Sequence, residues 1–289
     1  MTPMCSKLLV ANILLVFLLG PQSICAEPVG IRVNQTPHPL DGYAIAALRV
    51  ALANQDEDYK VVVAEDQITL ARAVDDLEQD SMDVMWMPAD AAVEARLLPI
   101  RFPLLKGLLG HRICIINPAE QGTFDRVETM DDLKRLTFGQ GQGWSDVEIL
   151  KSNGLNVVTT SKYQNLFYMV GGGRFDGFPR GVMEPWAEIA SRPELDLVVE
   201  KRVVLIYRLP FYLFVRKDER HLANKIMQGF ETALKNGSFD EFFYNNNLVK
   251  DALTRSNLSG RAAFHLHNPA LTPETPLERE DYWLDLESL

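Results

Sequence analysis

The chain has 289 residues, with 29 Lys and Arg against 39 Asp and Glu, and a formal net charge of −10. Apolar residues make up 47% and charged residues 24%, a globular composition that excludes a disordered or collagen-like chain. The acidic balance, without a basic block, argues against nucleic-acid binding. The length allows one large domain or two lobes, either of which is big enough to bury a core without disulfides or metals.

The first 26 residues are typical of a secretory signal peptide. Lys7 is their only charged residue, and the apolar run of 13 residues from Leu8 to Gly20 is too short to span a membrane comfortably. A cleavage zone follows, which predicts cleavage after Ala26 and export of a soluble mature chain to the periplasm. Cleavage after Cys25, a lipid on Cys25 and an uncleaved anchor helix are the alternatives.

One cysteine is left in the predicted mature chain, since Cys5 and Cys25 lie in the signal peptide. A lone cysteine excludes a disulfide framework. Cys114 stands in the apolar run ICII, without a basic or histidine-rich context that would lower the pKa of its thiol. The sequence therefore predicts a buried core thiol rather than a nucleophile.

Strands and helices alternate along the mature chain, which indicates an α/β fold with largely parallel sheets. Predicted strands cover 29–33, 60–64, 83–87, 112–117, 136–138, 156–159, 174–178 and 212–216, with an extended stretch over 196–206. Predicted helices cover 41–54, 68–77, 89–98, 163–170, 184–191 and 223–234, and others begin near 129, 145 and 238. The tail from residue 261 is rich in proline and acids, so it is expected to wrap on the surface or to fray.

Two motifs resemble parts of cofactor or metal sites, but each lacks residues that such a site needs. Gly139, Gly141 and Gly143 lie between a predicted strand and a helix, but the spacing is not G-x-G-x-x-G and no acidic residue for a ribose follows about 20 residues later. A plain tight turn and a loop whose N–H groups hold an anion both stay open. His265 and His267 are only two ligands, too few for a metal site. No cofactor and no metal are predicted.

Three stretches resemble the family 3 extracellular solute-binding proteins, which have the type II periplasmic binding fold and include the polar-amino-acid receptors of ABC importers. They are LKRLTFGQGQGWSDVEIL (133–150), GRFDG (173–177) and LPFYLFVRK (209–217) with the helices over 222–239, and the likeness spans roughly 28–250. The resemblance implies two α/β lobes, with crossing strands near 112–117 and 204–211 and a ligand cleft between them. The implied division is a signal peptide (1–26), lobe 1 (27–113), lobe 2 (114–207), a return to lobe 1 (208–260) and a C-terminal tail (261–289).

The resemblance also suggests how the ligand is held. Arg96 lies six residues before Phe102, the spacing of the family's carboxylate-binding arginine, and a bidentate pair with a carboxylate suits that role. The family's amine-binding aspartate, five residues after Asp176, is replaced by Gly181, with Arg180 beside it. A guanidinium there disfavours a protonated amine, so a small anionic or carboxylate-bearing solute is expected.

Further ligand contacts are implied near the start of the second-lobe helix and among aromatic residues. The family has a carboxylate-facing threonine at that helix start, which Trp144 and Ser145 match loosely. For the arginines, a surface ion pair is the alternative, and for the aromatic residues a place in the core. The remaining candidates are Gly143, Tyr43, Trp86 and Phe178.

The function that the resemblance implies is solute binding without catalysis. The protein would be a periplasmic monomer that captures a small solute and delivers it to an ABC permease or to a membrane sensor. An enzyme on the same fold, similar to a dehydratase, is the alternative, for which Glu184 and His111 are the candidate acid and base. A degenerate interaction module that binds no ligand is the third possibility.

Overall fold

The computed structural model describes residues 27–35 and 40–285, and the predicted signal peptide, residues 1–26, lies outside them. Within these two ranges, no helix has both the length and the apolar character needed to cross a membrane. The described residues alternate between strands and helices, as the sequence predicts.

The elements are numbered in chain order. The first group comprises β1 (Val29–Gln35), α1 (Asp41–Ala53), β2 (Tyr59–Gln67), α2 (Leu70–Glu78), β3 (Met85–Pro88), α3 (Ala91–Arg96) and β4 (Leu98–Ile100). The second comprises β5 (His111–Ile116), α4 (Gln121–Asp125), α5 (Met130–Leu133), β6 (Thr137–Gly141), α6 (Ser145–Ser152), β7 (Asn156–Thr160), α7 (Tyr163–Gly171), β8 (Phe178–Gly181), α8 (Pro185–Ala190), β9 (Val198–Val199) and β10 (Val203–Ile206). The third comprises β11 (Phe211–Val215), α9 (Arg220–Lys235), α10 (Ser238–Asn245), α11 (Asn247–Ser256) and β12 (Ala262–His265).

Lobe 1 is built around the strand order β2-β1-β3-β11-β4. β1 and β2 are parallel, β11 is antiparallel to both β3 and β4, and a parallel bridge between Val33 and Val84 joins β1 to the start of β3. Helix α9 packs against α1, and Phe230 of α9 stacks on Phe102 with the ring centroids 4.5 Å apart. The apolar residues of α9 recur every three or four positions, which places them on the one face that the core covers.

Lobe 2 is built around the strand order β7-β6-β8-β5-β10-β12, with β9 also paired to β5. β6 and β7 are parallel, and a parallel bridge between Phe138 and Gly177 joins β6 to the start of β8. β5 is antiparallel to β8, β9 and β10. Cys114 lies in β5 and is buried, which confirms the predicted core thiol.

Two of the differences between predicted and observed element bounds have a clear local cause. The strand predicted at 174–178 begins only at Phe178, because the residues before it form a turn in which a carboxylate oxygen of Asp176 accepts a 2.6 Å hydrogen bond from the N–H of Thr137. The helix predicted at 89–98 covers only 91–96, since Asp90 caps it and the chain is extended again from Leu97. In both cases an aspartate that forms a turn or a cap marks a boundary of the regular element that apolar periodicity does not show.

Two segments connect the lobes, residues 101–110 (the first crossing segment) and residues 207–210 (the second). The chain therefore enters lobe 2 just before the strand predicted as the first crossing. The N–H of Tyr207 donates to the carbonyl oxygen of Gly110 at 3.1 Å. A Cβ on Gly110 would lie 1.9 Å from the carbonyl oxygen of Tyr207, so only glycine allows the two segments to pack this closely.

The C-terminal tail contacts both lobes, so of the two expectations for it, wrapping on the surface or fraying, the structure contradicts fraying for residues 262–284. Strand β12 pairs in parallel with β10 in the sheet of lobe 2. The chain then returns to lobe 1, where Arg279 pairs with Glu231 of α9 at 2.9 Å and Tyr282 is 1% exposed. The tail is rich in proline and polar residues, but a few of its apolar side chains pack into a core that earlier elements form.

Candidate ligand-binding cleft

The carboxyl ends of the parallel strands define the edges at which a ligand would bind, as in other open α/β sheets. In lobe 1 these are the ends of β1 and β3, and residues 36–39 after β1 lie outside the described part of the chain. In lobe 2 these are the ends of β6, β7 and β8, followed by the loops 142–144, 161–162 and 182–184. Most of the candidate residues that come together do so at the lobe 2 edge.

A buried guanidinium occupies the lobe 2 edge. Arg180, near the end of β8, is 8% exposed. Its Nη2 lies 2.7 Å from Oε1 of Glu184 and 2.6 Å from Oε1 of Glu188, and its Nε lies 2.9 Å from Oε2 of Glu188. Burial alone would lower the pKa of Arg180, but the two carboxylates raise it above its ordinary value. The guanidinium is therefore charged and already paired with two carboxylates.

Aromatic rings surround the same guanidinium. The Cζ of Arg180 lies 5.1 Å from the ring centroid of Phe178 and 5.2 Å from that of Trp144. It lies 5.8 Å from the ring centroid of Tyr163, whose hydroxyl donates to Oε1 of Glu188 at 2.6 Å and so holds that carboxylate in place. Phe178 is fully buried, whereas Trp144 and Tyr163 are half-buried. We call the following set the arginine cage: Trp144, Tyr163, Phe178, Glu184 and Glu188.

A second buried arginine continues the network toward the crossing segments. In β5, Nη2 of Arg112 lies 2.9 Å from Oδ1 of Asp146, and Nη1 lies 3.1 Å from Oε2 of Glu184. Nε of Arg112 donates to the hydroxyl of Tyr207 at 2.9 Å, and that hydroxyl donates to Asp146. Three carboxylates thus offset two buried guanidiniums, as burial of charge in a low dielectric requires.

A carboxylate from the loop before α8 lies at Gly181, where the family's aspartate was expected. Oε2 of Glu184 accepts the N–H of Gly181 at 2.6 Å. A Cβ on Gly181 would lie only 2.9 Å from that same oxygen and 3.2 Å from Nη1 of Arg112. The space beside Gly181 is therefore filled by the carboxylate of Glu184, which is itself held by Arg112 and Arg180.

Arg96 lies away from the cleft. Its side chain is half exposed, and its Nε and Nη2 donate to Glu78 at 2.9 and 2.8 Å, with Asp75 3.3 Å away. Helix α2 returns antiparallel to the parallel strands β2 and β3, so its last turn, with Asp75 and Glu78, lies at the amino edge of the sheet, opposite the cleft. Arg96 thus forms a surface ion pair, the alternative that the sequence left open, and its contact with a ligand stays a prediction.

Two aromatic candidates belong to the core of lobe 1. Tyr43 is 3% exposed, and its hydroxyl donates to the carbonyl oxygen of Leu104 at 2.6 Å. Trp86 is 7% exposed, and its indole N–H donates to Oδ1 of Asp41 at 2.8 Å. Both rings fix the position of α1 against the sheet and the first crossing segment.

The other five predicted residues meet at the lobe 2 edge. Gly143 is exposed with a φ of 84°, which a tight turn before α6 requires of a glycine. Ser145 begins α6 and is half-buried beside Trp144. Phe178 and Arg180 complete the group.

Neither residue named for the enzymatic alternative is placed to transfer a proton in the cleft. His111, the first residue of β5, is 4% exposed, with Nδ1 3.2 Å from the carbonyl oxygen of Gly107. Burial lowers the pKa of His111 to about 4, with Arg208 and His265 adding to the effect. Glu184 is bound on both oxygens. Within residues 27–35 and 40–285, no cluster of three or more His, Cys, Asp or Glu is suited to hold a metal ion.

Several residues of the site were missed by sequence reasoning. Glu188 and Tyr163 complete the arginine cage, and Arg112 with Asp146 extends it. Arg180, Glu184 and Glu188 recur at intervals of four, but Arg180 lies in β8 and Glu184 before α8, so the helical spacing rule does not explain their contact. Arg112, Asp146 and Tyr163 carry no local signal either, since only the tertiary fold brings them there.

No protein-family model and no curated protein matches the sequence, whereas solved structures match the fold. A protein from Wolinella succinogenes, assigned as an ABC-transporter binding component and complexed with lysine, aligns with TM-score 0.55 and 16% identity over 74% of this chain and 94% of its own. An ancestral arginine-binding protein bound to arginine aligns with TM-score 0.52 and 16% identity, over 74% and 96%. A periplasmic binding protein of Salmonella typhimurium with high arginine specificity aligns with TM-score 0.51 and 14% identity, over 74% and 97%. The chain has the two-lobed α/β fold of the type II periplasmic binding proteins.

Proposed function

We propose that the protein is a periplasmic solute-binding protein, which holds a small molecule between its lobes without transforming it. The observation that carries the proposal is the pair of crossing segments packed at Gly110 and Tyr207, which joins two α/β lobes with an edge of loops on each. Lobes joined in this way close around a ligand by rotation about the connecting segments. The three aligned structures named above are binding proteins, and one is assigned to an ABC transporter.

The charge of the solute follows from the ion pairs at the lobe 2 edge. Arg96 and Arg180 were the reason to expect an anion, but Arg96 pairs with Glu78 on the surface, and Arg180 pairs with Glu184 and Glu188. An anion at this edge would have to displace a buried carboxylate from its arginine. We therefore favour a neutral or zwitterionic solute, held through hydrogen bonds and stacking.

The partner is a membrane protein that recognises the closed form, either an importer permease or a sensor. Captured solute would be released to it when the lobes reopen. The chain acts as a monomer in this scheme, because one cleft between two lobes of one chain is sufficient for capture.

Thermal denaturation of the mature protein tests the proposal against amino acids, carboxylates, polyols and short peptides. A ligand at 100 times its dissociation constant adds about 2.7 kcal/mol to the stability of the native state. For a chain of this size that corresponds to a rise in Tm of roughly 5–10 °C. Small-angle scattering should show a smaller radius of gyration with the best compound than without it, because the lobes close.

A pair of variants ties the binding to the cleft. Trp144→Ala removes a half-buried ring at the lobe 2 edge and should weaken binding about tenfold, the loss typical of an aromatic contact. Tyr168→Ala removes a ring that is 59% exposed on α7 and should leave affinity unchanged. If no compound raises Tm, the result favours the alternative of an interaction module that binds no ligand. If a bound compound is converted to product, the protein is an enzyme.

A further inference from the structure

The arginine cage has the composition of a binding site for a guanidinium ion. Two carboxylates and three aromatic rings converge on it from the loop before α6, from α7, from β8 and from the loop and helix after β8. Carboxylates bind a guanidinium through parallel N–H···O contacts, and aromatic faces attract it through their quadrupole. The ion in this site is the side chain of Arg180 itself.

The contacts are those that a separate guanidinium ligand would make. Glu188 receives both Nε and Nη2 of Arg180, at 2.9 and 2.6 Å, which is the two-pronged geometry of a carboxylate with a guanidinium. Glu184 takes Nη2 from the other side at 2.7 Å. Tyr163 orients Glu188 through its hydroxyl and offers its ring to the ion.

The position of the cage makes this arrangement relevant to ligand binding. Apart from Phe178, which begins β8, its residues follow the carboxyl ends of β6, β7 and β8, the edge at which a solute would meet lobe 2. Trp144 and Tyr163 are half-buried, so the cage borders the solvent of the cleft on the side of these two rings.

We infer that Arg180 is an internal ligand, which fills a guanidinium-binding cage on lobe 2 and thereby denies it to cationic groups of a solute. The wild-type protein would then bind no guanidinium here, and a variant without this side chain would bind one from solution. The inference needs only the cage, so it stands whether or not a natural solute is found.

The test is chemical rescue of Arg180→Ala. The variant should have a lower Tm than the wild type, and guanidinium chloride at 0–20 mM should raise it along a saturating curve with a midpoint in the millimolar range. Sodium chloride at equal ionic strength should not. The wild type and Arg208→Ala should show no rise, because Arg208 lies over Trp283, with 4.7 Å between Cζ and the ring centroid, outside the cage. If Arg180→Ala does not fold alone, the yield of folded protein on refolding with and without guanidinium gives the same comparison.

Two further measurements identify the site and its access. Glu188→Gln added to Arg180→Ala removes the two-pronged acceptor and should abolish rescue, while Glu194→Gln, outside the cage, should not. Calorimetric titration with free arginine should give binding at least tenfold tighter to Arg180→Ala than to the wild type. Equal responses of Arg180→Ala and the wild type to guanidinium, or equal affinities for arginine, would overturn the inference.

Discussion

Tyr282→Ala is the change that best distinguishes the packed tail seen in the structure from a tail that frays. The ring of Tyr282 is 1% exposed and lies 4.9 Å from the ring of Phe102, in an edge-to-face arrangement. Its hydroxyl donates to Glu231, the residue that also binds Arg279. Burial raises the pKa of Tyr282 above its ordinary value, which is consistent with a phenol held away from solvent.

The expected loss is large because the ring leaves a cavity among residues that are fixed by the rest of lobe 1. Truncation of a buried aromatic side chain to alanine costs about 3–5 kcal/mol, a substantial part of the roughly 5–15 kcal/mol that stabilises a typical domain. Tyr282→Phe keeps the ring and loses only the hydrogen bond, so it should cost about 1.5 kcal/mol. The order wild type, Tyr282→Phe, Tyr282→Ala is therefore expected.

Urea denaturation followed by circular dichroism measures these differences as shifts in midpoint at constant slope. Leu277→Ala is the matched control, since Leu277 lies in the same tail but is 48% exposed, and it should stay within about 0.5 kcal/mol of the wild type. A Tyr282→Ala protein as stable as the Leu277→Ala protein would show that the tail contributes nothing to lobe 1 and that the packing described above is wrong.

Three further outcomes are expected. His111 has a native pKa of about 4, below its unfolded value near 6.5, so the unfolded state binds more protons between these two pH values. The free energy of unfolding should therefore fall by up to about 3 kcal/mol as the pH drops through this window. His111→Gln should flatten that part of the curve of stability against pH. Arg112→Ala leaves Asp146 and Glu184 buried without their shared partner and should cost about 3–5 kcal/mol in urea denaturation, whereas Arg96→Ala should leave the midpoint unchanged. Burial raises the pKa of the Cys114 thiol well above its ordinary value, so a thiol reagent should label it only after unfolding, and labelling of the native protein would contradict its place in the core.

Periodicity was sufficient to predict the alternation of strands and helices. The buried run of β5 and the amphipathic pattern of α9 carry strong local signals, and both elements lie where the sequence predicts them. The start of β8 was predicted too early, because the apolar residue Phe175 in the preceding turn is buried without being part of a strand. A hydrophobic residue records burial, and it records a strand only when its neighbours alternate.

The packing of the tail was not predicted, for a different reason. Residues 262–265 are too few to show a period, and β12 exists because β10 offers an unpaired edge beside it. Tyr282 and Trp283 are two apolar residues in a polar segment, and nothing in their own neighbourhood indicates that α9 and the first crossing segment leave room for them. Contacts of this kind depend on distant parts of the chain, which local patterns do not encode.

The candidate site shows how far residue-by-residue correspondence with a family can be carried. Counting along the chain from Asp176 placed the expected acid at Gly181 and found none, and that absence, together with Arg180, led to an anionic solute. In space, the acid is present, because Glu184 folds back until its carboxylate accepts the N–H of Gly181. An aspartate introduced at this position would bring a second carboxylate against Glu184, so it would restore no amine site while Glu184 remains. The charge that a ligand meets at a binding edge is thus set by all the side chains that come together there. The charge of Arg180 is offset by its own partners, Glu184 and Glu188, so it does not by itself favour an anion.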